Sequence, residues 1–309
     1  MSVEVSLLIP IIMTVVGAAT PILLAALGEL VVEKSGVLNL GVEGMMLIGA
    51  VTGFAVTTVT GQPVIGILAA MLAATGSAFI FGLLTLTLIA NQVATGLALT
   101  IFGIGLSALA GEGYVGRTVD VFGSAFPESL SAHPVLRVIF GYSPLVYVSL
   151  ILVAAVSWFL RRTRAGLILR AVGESDISAH SIGYPVIAVR YMAVLFGGAM
   201  AGLAGCFYSL VLTPMWAEQL TAGRGWIALA LVVFASWRPA RLLLGAYLFG
   251  AVMTLELHAK AAGFSLVAPE FLAAMPYLAT IAVLAIISAR KAGSSAAPAC
   301  LGKPFKPGA

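Results

Sequence analysis

Long apolar stretches, broken only by single glycines, prolines or short polar turns, constrain this chain more than any other feature. They recur from end to end, giving candidate spans at 6–28, 37–58, 63–90, 91–110, 144–161, 191–213, 225–236, 242–257 and 272–289. None alternates with a period of two, so they read as helices rather than barrel strands, and a full crossing needs about 20 residues. Composition agrees. Of 309 residues, 61% are hydrophobic and 9% charged, against about 25% charged in soluble domains. So few charges cannot coat a water-facing surface, and lipid is the solvent. The 34 glycines and 14 prolines fall inside apolar segments rather than in linkers, where membrane helices tolerate them. The expected fold class is all-α integral membrane: a multi-pass helical bundle of about 8–10 spans with discontinuous helices.

Segments 225–236 and 242–257 are too short to cross comfortably. The Trp237-Arg238-Pro239-Ala240-Arg241 break between them reads as a tight turn, so the pair is expected to be discontinuous or tilted. A weak internal echo supports probable inverted repeats. Gly36–Ala50 and Thr221–Ala235 each open on a Gly-containing polar break and run into apolar helix, a pattern found where transporter repeats build a site at the bilayer midplane.

With the C-terminus cytoplasmic, the inner loops carry twelve Lys and Arg and the outer loops four, Arg117, Arg137, Arg224 and Lys260. That bias sets the orientation and places the N-terminus outside. It also accounts for the net charge of +4 without a nucleic-acid partner. The first residues lack the basic region of a cleavable signal. The division expected is a membrane domain over 1–290, with an external loop at 111–143 and a cytoplasmic loop at 162–187. A cytoplasmic tail at 291–309, rich in Ser, Ala and Pro, is expected to be extended or disordered.

Sites for covalent chemistry are absent. The sequence has no GxxxxGK[ST] phosphate loop, no HExxH, no GxSxG and no Cys/His cluster; His133, His180 and His258 are far apart, and Cys206 and Cys300 suggest no disulfide framework. No catalytic residue, metal site or resident cofactor is expected, and the chain does not read as an enzyme. Its chemistry would be the movement of a solute.

The polar interruptions are candidates for a pathway. An ionisable side chain in a span costs about 2.5–3.5 kcal/mol on insertion scales, so Glu43 should face a cavity or a partner. Asn39 lies four residues before it, on the same face if the segment is helical, and glycines at 36, 41 and 44 let the backbone open. Glu43 then either lines a solute path or packs against a polar group to fix helix geometry. Asn91, Gln92 and Thr95 form a second group, with an ordinary helix cap as the alternative for Asn91. Arg224 and Trp226 flank a Gly-rich external turn, where they would meet a polar, ring-bearing solute or sit in the interfacial belt. In the cytoplasmic loop, Ser175 can cap a short helix, Ala179 and Ile182 can form its apolar face, and Gly183 followed by Pro185 ends it. Such a helix suits docking to another chain, or lying on the lipid surface.

Several of these stretches resemble one family. They are Gly28–Ala50 (GELVVEKSGVLNLGVEGMMLIGA), Asn91–Ile101 (NQVATGLALTI), Arg170–Gly183, Tyr191–Gly205 (YMAVLFGGAMAGLAG), Thr221–Leu231 (TAGRGWIALAL) and Leu301–Phe305 (LGKPF). They resemble permease subunits of ABC importers of the ribose/branched-chain amino acid superfamily, in the branch that takes nucleosides and simple sugars. The resemblance implies one of two permease subunits in a bacterial plasma membrane, paired with a second, related permease. ABC ATPase subunits would dock below, carrying ATP and Mg that this chain does not bind, and a solute-binding lipoprotein would sit above. Gly173, Glu174, Ser175, Asp176, Ala179, His180 and Gly183 would fall in the coupling helix that enters the ATPase cleft, and Gly36–Gly44 in a broken-helix stretch beside the path. His180 and Ile182 are bulkier than the resemblance leads one to expect. Two other readings remain open: an ion-coupled secondary transporter using Glu43 as a proton-linked carboxylate, and an ABC importer of a pentose or hexose.

Overall fold

The computed structural model describes residues 3–120, 122–127, 134–261 and 297–306, with single helical positions at 274, 278, 281 and 285. The chain runs through α1 (Val3–Lys34), α2 (Val42–Thr60), α3 (Pro63–Gly82), α4 (Gln92–Gly111), α5 (Pro134–Phe140), α6 (Pro144–Arg162), α7 (Arg164–Glu174), α8 (Asp176–Ser181), α9 (Val186–Phe207), α10 (Arg224–Phe234) and α11 (Pro239–Ala261). Single π-helical turns, Leu83–Thr87 and Tyr208–Leu212, extend α3 and α9. Among the described residues, seven helices are long and apolar enough to cross a membrane, those at 8–34, 42–60, 63–87, 92–114, 144–162, 186–212 and 239–258. The chain is a multi-pass all-α integral membrane protein.

Two expectations change here. The segment expected as a short span at 242–257 belongs to a 23-residue helix that starts at Pro239, because proline at the first turn opens a helix at no cost in hydrogen bonds. Of the pair, only α10, with 11 residues, is short. The span expected at 272–289 lies almost wholly outside the described residues.

α1 is the central post. From Ala19 to Val32 every residue is buried, as suits a helix apolar on all sides, and α9, α11 and α10 pack around it. α2, α3 and α9 form the second packed group. Their backbones approach closely where small residues meet. Gly49 lies against Gly202 and Gly205 against the Met46 carbonyl, and Gly44 of α2 meets Gly103 of α4 in the same way. In lipid no hydrophobic force drives helices together, so close van der Waals contact through small residues carries the association. The outer faces stay apolar: Leu72, Ile101, Leu109 and Ile151 are each about two-thirds exposed or more, as lipid- or partner-facing residues should be.

α3 runs antiparallel to α9, with Ala70 beside Gly202, Ala74 beside Gly198 and Gly82 beside Tyr191. One face of the slab therefore holds Lys34, the start of α4, α7, α8 and the start of α9. The opposite face holds the α2–α3 turn, Gly111 and the loop that follows. On that opposite face Val115 and Thr118 bridge to Trp216 and Met215, and Phe122 and Val119 donate to the Leu210 and Pro214 carbonyls. The loop after α4 is thus fastened to the segment after α9.

The segment 297–306 is folded, contrary to the expectation of an extended tail. It packs on the Lys34 face, with Cys300 and Phe305 each 9% exposed. The apolar ring of Phe305 and backbone hydrogen bonds to residues near 36 and 173 outweigh the loss of chain entropy that its Ser/Pro-rich surroundings suggest.

Candidate functional site

Two breaks meet inside the slab. After α1 the chain passes through a non-helical stretch, 35–41, before α2 begins. Gly36 adopts φ +89° in this turn, a conformation L side chains rarely take. The Gly96 backbone lies against Leu40 and Gly41, and Gly103 against Gly44. Gly103 is roughly 16 Å along α4 from its start, so α2 begins near the middle of a core about 30 Å thick. The second break, 213–223, descends from the opposite face and ends at the N-terminus of α10. The 11 residues of α10 span about 16 Å and finish beside Glu33, one residue from the end of α1, where the Trp237 Nε1 donates to Glu33 Oε2 at 2.6 Å. α2 thus runs from the midplane to the opposite face and α10 from the midplane to the Lys34 face. Their N-termini face each other, as the echo between 36–50 and 221–235 suggests for an inverted pair.

Glu43 joins them. It is 4% exposed. Its Oε1 accepts from Thr221 Oγ1 at 2.5 Å and from the Gly223 N–H at 2.8 Å, and its Oε2 accepts from the Gly225 N–H at 2.6 Å. A helix starts with unsatisfied N–H groups and a partial positive charge; the carboxylate supplies both acceptors and countercharge where no water is available. Glycine at 225 is required by this fit, since an added Cβ would meet the Glu43 backbone at 2.7 Å. Of the two readings of Glu43, the geometry matches the packing one.

The sequence-predicted partners fall elsewhere. Asn39 and Glu43 do not share a helical face, because 35–41 is not helical. Asn39 is fully buried in the turn, where its Oδ1 accepts from the Gly41 N–H at 2.9 Å and its own N–H donates to Glu29 Oε1 at 3.2 Å. Asn91 caps α4, accepting from the Ala94 N–H at 3.0 Å. Gln92 is buried and accepts from the Leu38 N–H at 2.8 Å, tying the same turn to α4. Thr95 is half-buried and lines an apolar groove of about 480 Å³ between α3 and α4, with Phe81, Leu84 and Phe102. Arg224 is not on an external turn but at half-depth, with its guanidinium 4.9 Å over the Tyr208 ring and a bond to the Leu220 carbonyl. Trp226, in the first turn of α10, is 37% exposed.

Sequence reading passed over Glu29, Glu33, Thr221, Trp237 and Arg190 as polar anchors. The signal was present for the two acids, which lie four apart in an apolar helix and are both 1% exposed. Trp237→Phe removes the donor to Glu33 and should lower stability by about 1.5–3 kcal/mol, read as an earlier thermal aggregation midpoint in detergent. An unchanged midpoint would show that Glu33 finds another donor.

On the Lys34 face, α7 and α8 form a small lobe. Thr163 caps α7 through the Gly166 N–H, and Ser175 caps α8 through the Ser178 N–H. Asp176 pairs with Arg190 at 3.0 Å. Gly173 lies against the Lys34 carbonyl, and Glu174 lines a shallow pocket with Lys34 and Arg170. Ala179 is buried with Val172, Val186 and Phe305, whereas Ile182 is 71% exposed. The two do not share an apolar face, because α8 ends at Ser181 and Ile182 turns outward ahead of Gly183, which has φ +92°. Ile177, His180, Ile182 and Gly183 project from the lobe, and no atom lies within 4 Å of a Cβ placed on Gly183. Among the described residues no group of His, Cys, Asp or Glu could hold a metal ion.

This architecture has known relatives. The family model for the permease component of the branched-chain amino acid transport system matches residues 11–285. The chain is similar to a putative glucose ABC transporter permease protein of Haloferax volcanii, TsgC13, with 41% identity over 87% of this chain and 88% of the relative. It is 31% identical to the guanosine ABC transporter permease protein NupQ of Bacillus subtilis over 86% and 88% of the two chains. It is 29% identical to the nucleoside ABC transporter permease protein NupC of Lactococcus lactis over 87% and 89%. With seven membrane-length helices among the described residues, a mid-membrane pair of helix starts and a family match over nearly its whole length, the chain belongs to the branched-chain amino acid transport system permease family of ABC transporters.

Proposed function

We propose that the chain is one permease subunit of an ATP-binding-cassette importer for a nucleoside or a simple sugar. The Lys34 face would be cytoplasmic, in a bacterial-type plasma membrane, and the segment 297–306 on it would place the C-terminus inside. The observation that carries this reading is the α7–α8 lobe. Exposed apolar Ile177 and Ile182, with His180 and Gly183 between and beside them, stand out from the face that carries Lys34, Arg164, Arg170 and Lys303, as a contact for an ATPase subunit should. The solute class rests on the relatives, whose names give glucose, guanosine and nucleoside. ATP and Mg would be held by the partner ATPase, a solute-binding protein would deliver solute at the opposite face, and a second, related permease would close the path. Of the sequence-predicted pathway residues, Asn91 and Trp226 are exposed and Thr95 and Arg224 half-buried; Thr95 and Trp226, which are not spent on a cap or a ring contact, are proposed as part of its wall. A proton-linked role for Glu43 has less support, because both its oxygens are engaged.

The test is uptake of radiolabelled uridine, guanosine and glucose by cells expressing the whole system. Uptake should vanish when the ATPase partner carries a dead phosphate loop and should survive a proton uncoupler for as long as ATP is maintained. The reverse pattern would return the secondary-transporter reading. Gly183→Arg meets open space but puts a side chain at φ +92°, a strain of about 1–2 kcal/mol, so folded yield should fall modestly while uptake per folded transporter is abolished; Gly183→Ala carries the same strain without the bulk and should keep uptake. Normal uptake by Gly183→Arg would remove the lobe from the ATPase contact.

A further inference from the structure

Arg190 and the folded tail connect the α7–α8 lobe to the first break. Arg190 is 1% exposed, so each of its donors must be satisfied within the protein. Nη2 pairs with Asp176 in α8 at 3.0 Å, Nε donates to the Ser35 carbonyl at 3.2 Å, and Nη1 donates to the Lys303 carbonyl at 3.4 Å. The tail makes the same connection a second time. The Cys300 N–H donates to the Gly173 carbonyl at 3.0 Å, and the Gly302 N–H donates to the Gly36 carbonyl at 3.1 Å. Phe305 closes the unit: it packs with Val172, Ala179 and Val186, its ring edge meets His180 at 5.4 Å, and the Arg190 guanidinium lies 6.0 Å from its centroid. Beyond Gly36 the turn is bonded onward, Leu38 to Gln92 and Asn39 to Glu29, and it ends at Glu43, which holds the start of α10.

We infer that Arg190 is a positioning residue that, with the strap Cys300–Phe305, makes the α7–α8 lobe and the turn 35–38 one rigid body, so that any displacement of the lobe is delivered to the starts of α2 and α10. The inference rests on the proposed ATPase docking at that lobe. A lobe joined to the rest only through the ends of α6 and α9 could tilt by itself and leave the midplane untouched. Three carbonyl or carboxylate contacts from one planar fork, plus two backbone bonds from the strap, remove that freedom. Lysine cannot replace the fork, having a single compact ammonium where arginine spreads its donors.

The test is the distance between spin labels at Leu167 in α7 and Val59 in α2, both exposed, in a Cys206→Ala background of the transporter purified with its ATPase, with the buried Cys300 of the strap left in place. In the otherwise unmodified chain the distance should be the same without nucleotide and with ATP trapped by vanadate. In Phe305→Ala, Arg190→Lys and a chain ending at Ala299 it should differ between the two states by more than about 2 Å, the upper scale of helix shifts in switching interfaces. Phe305→Ala is the mildest of the three and keeps the test readable if the others fail to fold. Stimulation of ATP hydrolysis by the solute-loaded receptor should fall roughly fivefold or more, the lower end of typical coupling between sites. A distance that changes in the unmodified chain, or stays fixed in the variants, overturns the rigid link. Loss of the ATPase from the variants alone overturns it too, since the strap would then be a docking element. An unmodified chain that brings down no ATPase overturns the docking reading itself.

Discussion

Glu43→Ala is expected to reduce the amount of folded protein before it reduces transport by the protein that remains. Alanine leaves the Thr221 hydroxyl and the N–H groups of Gly223 and Gly225 facing each other with no acceptor. Each unsatisfied buried donor costs about 1–3 kcal/mol, and the lost countercharge at the α10 start adds to this. The sum is at least about 3 kcal/mol, a large share of the 5–15 kcal/mol that holds a typical domain. Glu43→Gln should fall between, because its amide oxygen can still serve Thr221 and Gly223 while its NH₂ meets the Gly225 N–H, donor against donor. Monodisperse yield on gel filtration and uptake per folded transporter separate the two effects. If Glu43→Ala is recovered at full yield and fails only in transport, the carboxylate belongs to the pathway after all.

The second large effect is expected at Gly205. A methyl group there would fall on the Met46 carbonyl, at a crossing where α9 and α2 are both buried. Neither backbone can yield without moving its whole helix, so Gly205→Ala should cost about 3 kcal/mol, the upper end of overpacking penalties, and Gly205→Val should prevent recovery of folded protein. Gly76→Ala and Gly105→Ala are the controls. No atom lies within 4 Å of either added methyl group, and alanine improves helix propensity by roughly 0.5–1 kcal/mol. Equal thermal stability of Gly205→Ala and Gly105→Ala would show that the α2–α9 approach is softer than its geometry indicates.

The spans show why some features were readable and others not. Bilayer crossing needs only an unbroken apolar run, a property of neighbours in sequence, so the helices from 8 to 114, at 144–162 and at 186–212 match the expected segments, with ends displaced by up to six residues. The cap at Asn91 and the turn before α8 were legible for the same reason. The 239–261 helix was read too short, because Arg241 and Pro239 look like breaks in a hydropathy scan and are a helix start in space.

The site was legible only in outline. The sequence marks Glu43 as a costly charge that needs a partner. It does not say that the partner is the backbone of residues 221–225, about 180 positions away, since those N–H groups are identical in every non-proline residue and become donors to a carboxylate only where a helix starts. Asn39 and Gln92 look like pathway residues for want of that information; both are buried and hydrogen-bonded at the turn.

The sequence by itself determined the solvent of this protein, the placement of most of its crossings, and the polar lobe outside the bilayer, because each follows from local composition and period. Tertiary structure alone decided that two breaks far apart in the chain meet at half-depth as opposed helix starts, and that a Ser/Pro-rich tail folds back beneath Arg190. Both depend on satisfying buried polar groups, and in lipid those partners can come from any part of the chain that packing brings within hydrogen-bonding distance.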